Sequence, residues 1–403
     1  MKILIIIPHS FVPPNSGPKN VIFNLIKFLH TNIICDLVVL SNSQSIEEKK
    51  IIRDNILNNF PHLNDVQIFS TDTNNSWLKK QIKSFLLVLS GYPPVISQYD
   101  SQELIQWLNQ DLGNKKYDII HFDMFYVVKY WKYFQDFPKI LVPHDAYSSK
   151  LTQINIIDLK TWLQLVLFRI LEKTKYHKFD LICPVSEADA NFLKTISPSL
   201  TVNSVPIAVA DEYLKDNPRF FPINSIPKIL CTSSGSVPKV TEEVFFFLEK
   251  IYPKIINKNP QTKFTLLGKY KKTKVIEFEN KYNSFENIQY VEDYLSFLKQ
   301  DWIYVYPQTW GSGLKTKIQQ AMALGLPVVG TPNAFSGLNV ENGKHCFIAE
   351  NDEEFENSIN LLCQDVNLRE RIGKEAHELM KKDYSIDSVG KKMINIYNMV
   401  IHK

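Results

Sequence analysis

Short apolar runs alternate with longer amphipathic stretches along the chain. Residues 3–7 are five consecutive isoleucine or leucine positions. An unbroken run of this kind leaves no side for water, so it predicts a strand buried on both faces. Residues 36–40, 66–69, 118–121, 139–142 and 181–185 read as further strands. Residues 21–30, 102–112 and 161–176 place apolar side chains at helical spacing. The second half repeats the pattern, with strands over 228–232, 263–267, 288–290, 302–306, 327–330 and 346–349. Its helices are expected over 241–256, 294–298, 315–324, 353–363, 366–380 and 386–401. Strands alternating with helices predict parallel sheets covered on both faces.

Pro206, Pro218, Pro222 and Pro227 punctuate a stretch with few apolar residues, which is the signature of a linker. The expected organisation is a first Rossmann-like domain over 1–205, a linker over 206–227 and a second such domain over 228–385. The helix over 386–403 would return to the first domain. The fold class is α/β, with two doubly wound domains facing each other across a cleft. A length of 403 residues suits two cores better than one.

Composition narrows this picture in three ways. Apolar residues make up 44% and charged residues 22%, which is globular and excludes disorder. The net charge of +4 is mild, and the lysines are spread along the chain, which excludes nucleic acid as a partner. Five cysteines stand without CxxC spacing, as buried residues of a reducing compartment do. The opening apolar run stops at Pro8, too short for a signal peptide. The reading is a cytosolic protein, with a peripheral contact on the inner membrane face left open. That option rests on residues 77–89 and 162–176, which mix aromatics with Lys and Arg as interfacial helices do. Packing of both stretches on their own sheet is the alternative. The charge run 269–274 reads as a solvated loop.

Candidate chemistry concentrates in residues 307–323, between a strand and a helix. Gly311 and Gly313 would let the backbone approach a ligand without Cβ obstruction. The helix start behind them offers free N–H groups and the positive end of its dipole. Lys315 and Lys317 add cations in the same turn, a placement that opposes the dipole and that a bound phosphate or diphosphate would explain. An ordinary turn with solvated lysines is the competing reading. Gly17 lies in a Pro/Ser/Gly loop after the first strand. His121 and the pair His144-Asp145 close strands, where ligands of open α/β sheets gather. For His121 a satisfied structural histidine explains the position equally well.

Residues 313–331, GLKTKIQQAMALGLPVVGT, resemble the signature of family-4 glycosyltransferases, retaining enzymes of GT-B fold. The closest branch reads G-x-G-[IL]-K-x-K in this turn and belongs to bacterial polysaccharide and exosortase-linked gene sets. Residues 233–239, Tyr252-Pro253, 264–268, Gly343, 365–373 and Tyr384-Ser385 resemble the rest of its donor domain. Pro13-Pro14-Asn15-Ser16-Gly17, His144-Asp145 and Val185-Ser186-Glu187 fall at family-like places in the first half, so the resemblance covers nearly the whole chain.

The resemblance implies transfer of a sugar from an NDP-sugar, with the base, UDP or GDP, undecided. It implies no cofactor and no metal, and a saccharide or lipid-linked acceptor. Gly17, Gly235, Ser312, Gly313, Leu314, Lys315, Lys317 and Gln320 would bind the donor. His144, Asp145 and Lys239 would be catalytic, with His144 near the anomeric carbon, Asp145 fixing its tautomer or a loop, and Lys239 on the phosphates. One departure stands out. The family's Glu-x7-Glu pair is Ser312 and Gln320 here, and an Arg common before Lys239 is absent. A non-catalytic binding or partner protein, or a sugar-nucleotide epimerase of the same fold, therefore stays open.

Overall fold

The computed structural model describes residues 1–402 apart from 15, 30–32, 73–76, 111, 113–115, 153–158, 217–225, 227, 234, 236, 301 and 312. The chain divides into two compact units. Unit 1 comprises Met1–Ala208 with Ile386–Lys403, and unit 2 comprises Val209–Ser385.

Unit 1 holds six parallel strands: β1 (Lys2–Ile7), β2 (Ile34–Ser41), β3 (Asp65–Ser70), β4 (Ile119–Asp123), β5 (Lys139–His144) and β6 (Leu181–Pro184), in the order β3-β2-β1-β4-β5-β6. Successive residues of β1 feed opposite cores, Ile3, Ile5 and Ile7 on one side and Leu4 and Ile6 on the other. That is why the run is continuously apolar. The covering helices are α1 (Gly17–Phe28), α2 (Ile46–Asn59), α3 (Trp77–Leu89), α4 (Gln102–Gln110), α5 (Leu159–Thr174) and α6 (Glu187–Ile196).

Unit 2 repeats the plan with β7 (Lys228–Thr232), β8 (Lys263–Leu267), β9 (Phe285–Ile288), β10 (Trp302–Tyr306), β11 (Val328–Gly330) and β12 (Phe347–Ile348), ordered β12-β11-β10-β7-β8-β9. Its helices are α7 (Pro238–Lys250), α8 (Tyr252–Lys258), α9 (Lys272–Lys281), α10 (Tyr294–Leu298), α11 (Thr316–Ala323), α12 (Asp352–Gln364) and α13 (Val366–Tyr384). The last helix, α14 (Ile386–Ile401), lies in unit 1 against α1. Gly390 makes this possible, since a Cβ there would stand 2.1 Å from Phe28 Cγ.

Several elements differ from the sequence expectation. The helix expected over 241–256 is two, because Pro253 lacks the N–H that would continue α7 into α8. Residues 269–274 are not all loop; α9 starts at Lys272 and buries only Val275 and Phe278, too narrow a stripe to register as periodicity. α2 and α6 went unread for the same reason. The chain passes between the units at 208/209 and again at 385/386, while residues 217–225 and 227 of the expected linker fall outside the described residues. Among the described residues no helix is long and apolar enough to cross a membrane.

Candidate functional site

Strand order reverses between β1 and β4 in unit 1, and between β7 and β10 in unit 2. At such a switch point the connections leave to opposite faces and open a crevice at the carboxyl ends of the strands. Each unit is described on its own below.

In unit 1, three side chains follow adjacent strand ends: His9 after β1, Asp123 closing β4 and His144 closing β5. His144 Nε2 lies 3.1 Å from Asp123 Oδ1, and both side chains are buried. The backbone is strained to achieve this. Met124 and His144 have φ of 67° and 70°, a left-handed conformation that costs a non-glycine residue about 1–3 kcal/mol. Two hydrogen bonds hold it, Met124 N–H to Val142 O at 2.8 Å and Val185 N–H to His144 O at 2.9 Å. β5 also slips register against β6 between Leu141 and His144. Strain concentrated on two adjacent strand ends is a functional signal, since packing alone gives no reason to retain it.

Burial pushes the His144 imidazole down, but the Asp123 carboxylate outweighs it and the net pKa is raised. Burial likewise pushes Asp123 up, and His144 and His121 bring it down to about 2. His9 is lowered by burial, which Asp123 opposes and the cations Lys19 and His144 reinforce. The pair's stabilisation is therefore full between the ordinary values of 3.8 and 6.5. It is lost as pH rises through the raised His144 value, and again as pH falls through about 2. An Asp123→Asn variant should leave burial opposed only by the weaker pull of the Asp145 charge. An NMR titration of His144 should then fall from above 6.5 to below it; an unchanged value would mean the carboxylate does not control the imidazole.

One sequence expectation needs correcting here. The carboxylate that fixes His144 is Asp123, from the neighbouring strand; Asp145 is half-buried and acts on His144 through its charge alone. His121 is fully buried, with Nδ1 2.7 Å from the Tyr397 hydroxyl of α14. Among the described residues its Nε2 has no hydrogen-bond partner, and it stands 3.9 Å from Asp123 Oδ1. Gly17 opens α1, behind an N-cap Ser16 whose side chain accepts no hydrogen bond. Sequence reasoning missed His9 and Asp123. Their only signal was their place directly after an apolar run.

In unit 2 the loops after β7 and β8 touch backbone to backbone. A Cβ on Gly235 would meet Lys269 O at 2.1 Å, and one on Gly268 would meet Ser233 O at 2.1 Å. The turn after β10 is braced from several sides. Gln308 Nε2 donates to Ser233 Oγ at 2.9 Å, Thr309 N–H to Glu243 Oε2 at 3.1 Å, and Asn333 Nδ2 to Trp310 O at 3.1 Å. Gly311 and Gly313 have φ of 118° and 69°, so the turn needs glycine at both positions. Lys315, the N-cap of α11, folds its ammonium back onto Gly313 O at 2.8 Å.

Lys317 is exposed in the first turn of α11, yet enclosed enough for desolvation to lower its pKa, against the opposing pull of Cys231. Leu314 is buried and Gln320 half-buried, the Gln320 side chain making no hydrogen bond among the described residues. Ser312 lies outside the described residues. Lys239, in the first turn of α7, lines a cavity of about 340 Å³ together with Glu243, Thr309 and Asn351. Among the described residues, no group of three His, Cys, Asp or Glu could hold a metal ion.

Solved structures share the fold, three of them over essentially their full length. HepE from Anabaena, in complex with UDP, has a TM-score of 0.64 at 14% identity, covering 99% of this chain and 100% of its own. Sucrose-phosphate synthase from Thermosynechococcus elongatus has 0.66 at 13%, covering 100% and 99%. TarM from S. aureus has 0.62 at 14%, covering 99% and 100%. The fold is GT-B. Within the GT-B chain, residues 227–365 match the family model described as Glycosyl transferases group 1. No curated protein sequence matches the chain. The matched span contains the braced glycine turn, α11 and Lys239, and it stops short of α13 and all of unit 1.

Proposed function

We propose that the protein is a retaining glycosyltransferase of family-4 type, moving a sugar from a nucleoside diphosphate sugar to an acceptor hydroxyl. One observation carries this reading. The helices that leave the switch points begin with cations and no carboxylate: Lys19 in α1, Lys239 in α7 and Lys317 in α11. Of the helices elsewhere, α2 begins with Glu47 and Glu48, α6 with Glu187 and Asp189, and α12 with Asp352 to Glu354, while α8 and α9 also begin with lysines; what sets α1, α7 and α11 apart is that theirs stand at the switch points. Cations at a helix N-terminus oppose its dipole, and the conflict is resolved when an anion occupies the site.

In the proposed reaction the anomeric C–O bond to the diphosphate breaks as the acceptor oxygen bonds the same face, and the acceptor proton passes to the leaving phosphate. The helix starts and lysines of unit 2 stabilise the growing diphosphate charge. His144, held by Asp123, donates to the transferred sugar. The glycine turn and Lys239 belong to the donor half, and the ends of β1, β4 and β5 to the sugar and acceptor half. UDP is the base to test first, because the complexes of HepE and TarM contain it. The acceptor is a saccharide or lipid-linked saccharide, as in cell-surface polysaccharide synthesis on the cytosolic side.

The test is NDP release from a panel of UDP- and GDP-sugars with hydroxyl acceptors, run in excess EDTA. Acceptor-dependent release that EDTA leaves intact is the expected outcome. Loss of turnover in EDTA would remove the metal-independent part. Gln320 favours a second reading, a non-catalytic nucleotide binder, because an amide there lacks the charge that strengthens a ribose hydrogen bond. Nucleotide binding with no release from any donor would establish that reading.

A further inference from the structure

An amphipathic helix on a soluble domain turns its apolar stripe inward. Two helices of unit 1 do the opposite. In α3, Ile82, Phe85, Leu86 and Leu89 follow the spacing i, i+3, i+4, i+7 and are 52%, 62%, 55% and 68% exposed. In α5, Leu159, Trp162, Leu163 and Ile170 follow the same stripe and are 71%, 47%, 48% and 38% exposed. The opposite side of α5, Leu165, Phe168 and Leu171, is buried in the unit's own core, so this helix is apolar all round while one face is open. Eight of the seventeen large apolar side chains that stand strongly exposed among the described residues lie on these two helices.

The two helices flank one groove, which the α5 stripe lines and the α3 stripe does not. Gln81 and Ser84 of α3 line it with Leu159, Leu163 and Leu167 of α5, a space of about 1120 Å³. At the other end of the helices, a Cβ on Gly91 would stand 3.3 Å from Ile170.

Charge selects the occupant. α3 contains no Asp or Glu, and the only carboxylate of α5, Glu172, is fully buried on Ser148. Cations flank the patch: exposed Lys173 on α5, Lys175 just beyond it over the Tyr92 ring, and Lys83 at the groove between Asp72 and Asp100, while Arg169 turns inward onto Ser148. Asp72, which lines the groove, is paired with Lys83 at 3.0 Å. Exposed apolar stripes bearing a tryptophan, flanked by cations and free of exposed carboxylates, match an anionic lipid surface.

We propose that the α3–α5 face docks unit 1 onto an anionic bilayer, the apolar stripes entering the interface and the lysines meeting acidic headgroups. This docking is independent of the sugar-transfer reading, because membrane partition requires no turnover. The experiment is co-sedimentation of the full chain with vesicles of phosphatidylcholine containing about 30% phosphatidylglycerol, and with phosphatidylcholine alone.

The wild type should partition onto the anionic vesicles, and raising the salt should weaken it. The double variants Phe85→Ser/Leu89→Ser and Leu159→Ser/Trp162→Ser should each lower partition at least tenfold. These side chains are exposed, so the thermal unfolding midpoint should stay at the wild-type value. A Tyr290→Ser control, at a side chain 74% exposed in unit 2, should partition like the wild type. No binding to anionic vesicles, or binding unchanged in both double variants, would overturn the proposal. So would a dimer in solution that these substitutions dissolve, because a second copy of the chain would then be the occupant. A chain that docks yet transfers no sugar would count against the proposed reaction alone.

Discussion

A His144→Ala variant should fold normally, keep its affinity for nucleotide, and lose sugar transfer by about a hundred- to a thousandfold in kcat, the range for removing one preorganised donor from a developing charge. The reasoning starts from cost. The left-handed backbone at His144 and the removal of two titratable groups from water both oppose folding. Alanine at the same φ leaves the backbone no worse than before but leaves the buried Asp123 carboxylate without its partner, so the thermal midpoint should fall while the fold is kept. Nucleotide affinity, which the proposed reaction assigns to unit 2, is read by calorimetry and should be unchanged. Asp145→Ala serves as the comparison, because its carboxylate acts on His144 through charge alone; its loss should cost far less. If His144→Ala retained turnover within a few-fold of the wild type, the strained pair would be structural.

Gly373→Ala should destabilise unit 2 strongly, although its position in mid-helix α13 predicts the opposite. In an exposed helix, replacing Gly by Ala gains up to about 1 kcal/mol. Here a Cβ would stand 2.0 Å from Gly325 O. Gly325 is itself left-handed, at φ 74°, directly after α11. The contact is backbone against backbone, so no side chain can swing aside; α13 or α11 must move. Overpacking of this kind costs about 3 kcal/mol or more, which for a unit of this size lowers Tm by roughly 6–12 °C. α11 also carries the glycine turn and Lys317 at its other end. Nucleotide affinity should therefore fall along with stability. A Tm equal to or above the wild type would show that helix propensity dominates and that the two helices are not tightly fixed.

Much of this molecule follows from local sequence. Ile3 to Ile7 can only be a doubly covered strand, and twelve strands separated mostly by helices imply two open parallel sheets. The turn at Gly311 and Gly313 was legible because glycine is scarce in this chain and two of them precede a helix. Lysines at that helix start were legible as a conflict, since the helix dipole argues against them. These are properties of a few consecutive residues, and backbone sterics decide them without help from the rest of the chain.

Other features required the fold. His9, Asp123 and His144 are separated by more than a hundred residues of sequence at one step, and only the β1-β4-β5 order brings their strand ends together. The sequence offered Asp145 as the partner of His144 because it is adjacent; the sheet supplied Asp123 instead, because neighbouring parallel strands end side by side. Residues 77–89 and 162–176 were ambiguous between core and interface, since periodicity reports that an apolar stripe exists and not which way it faces. Its direction is fixed by what packs on the helix. For α5 the sheet covers one face, and the stripe through Leu159, Trp162, Leu163 and Ile170 is left to the solvent. Sequence alone determined most of the elements, the two-sheet plan and the glycine turn with its lysines. Tertiary structure decided which distant side chains share a site and which apolar face stays open, because both depend on contacts between segments that no local pattern encodes.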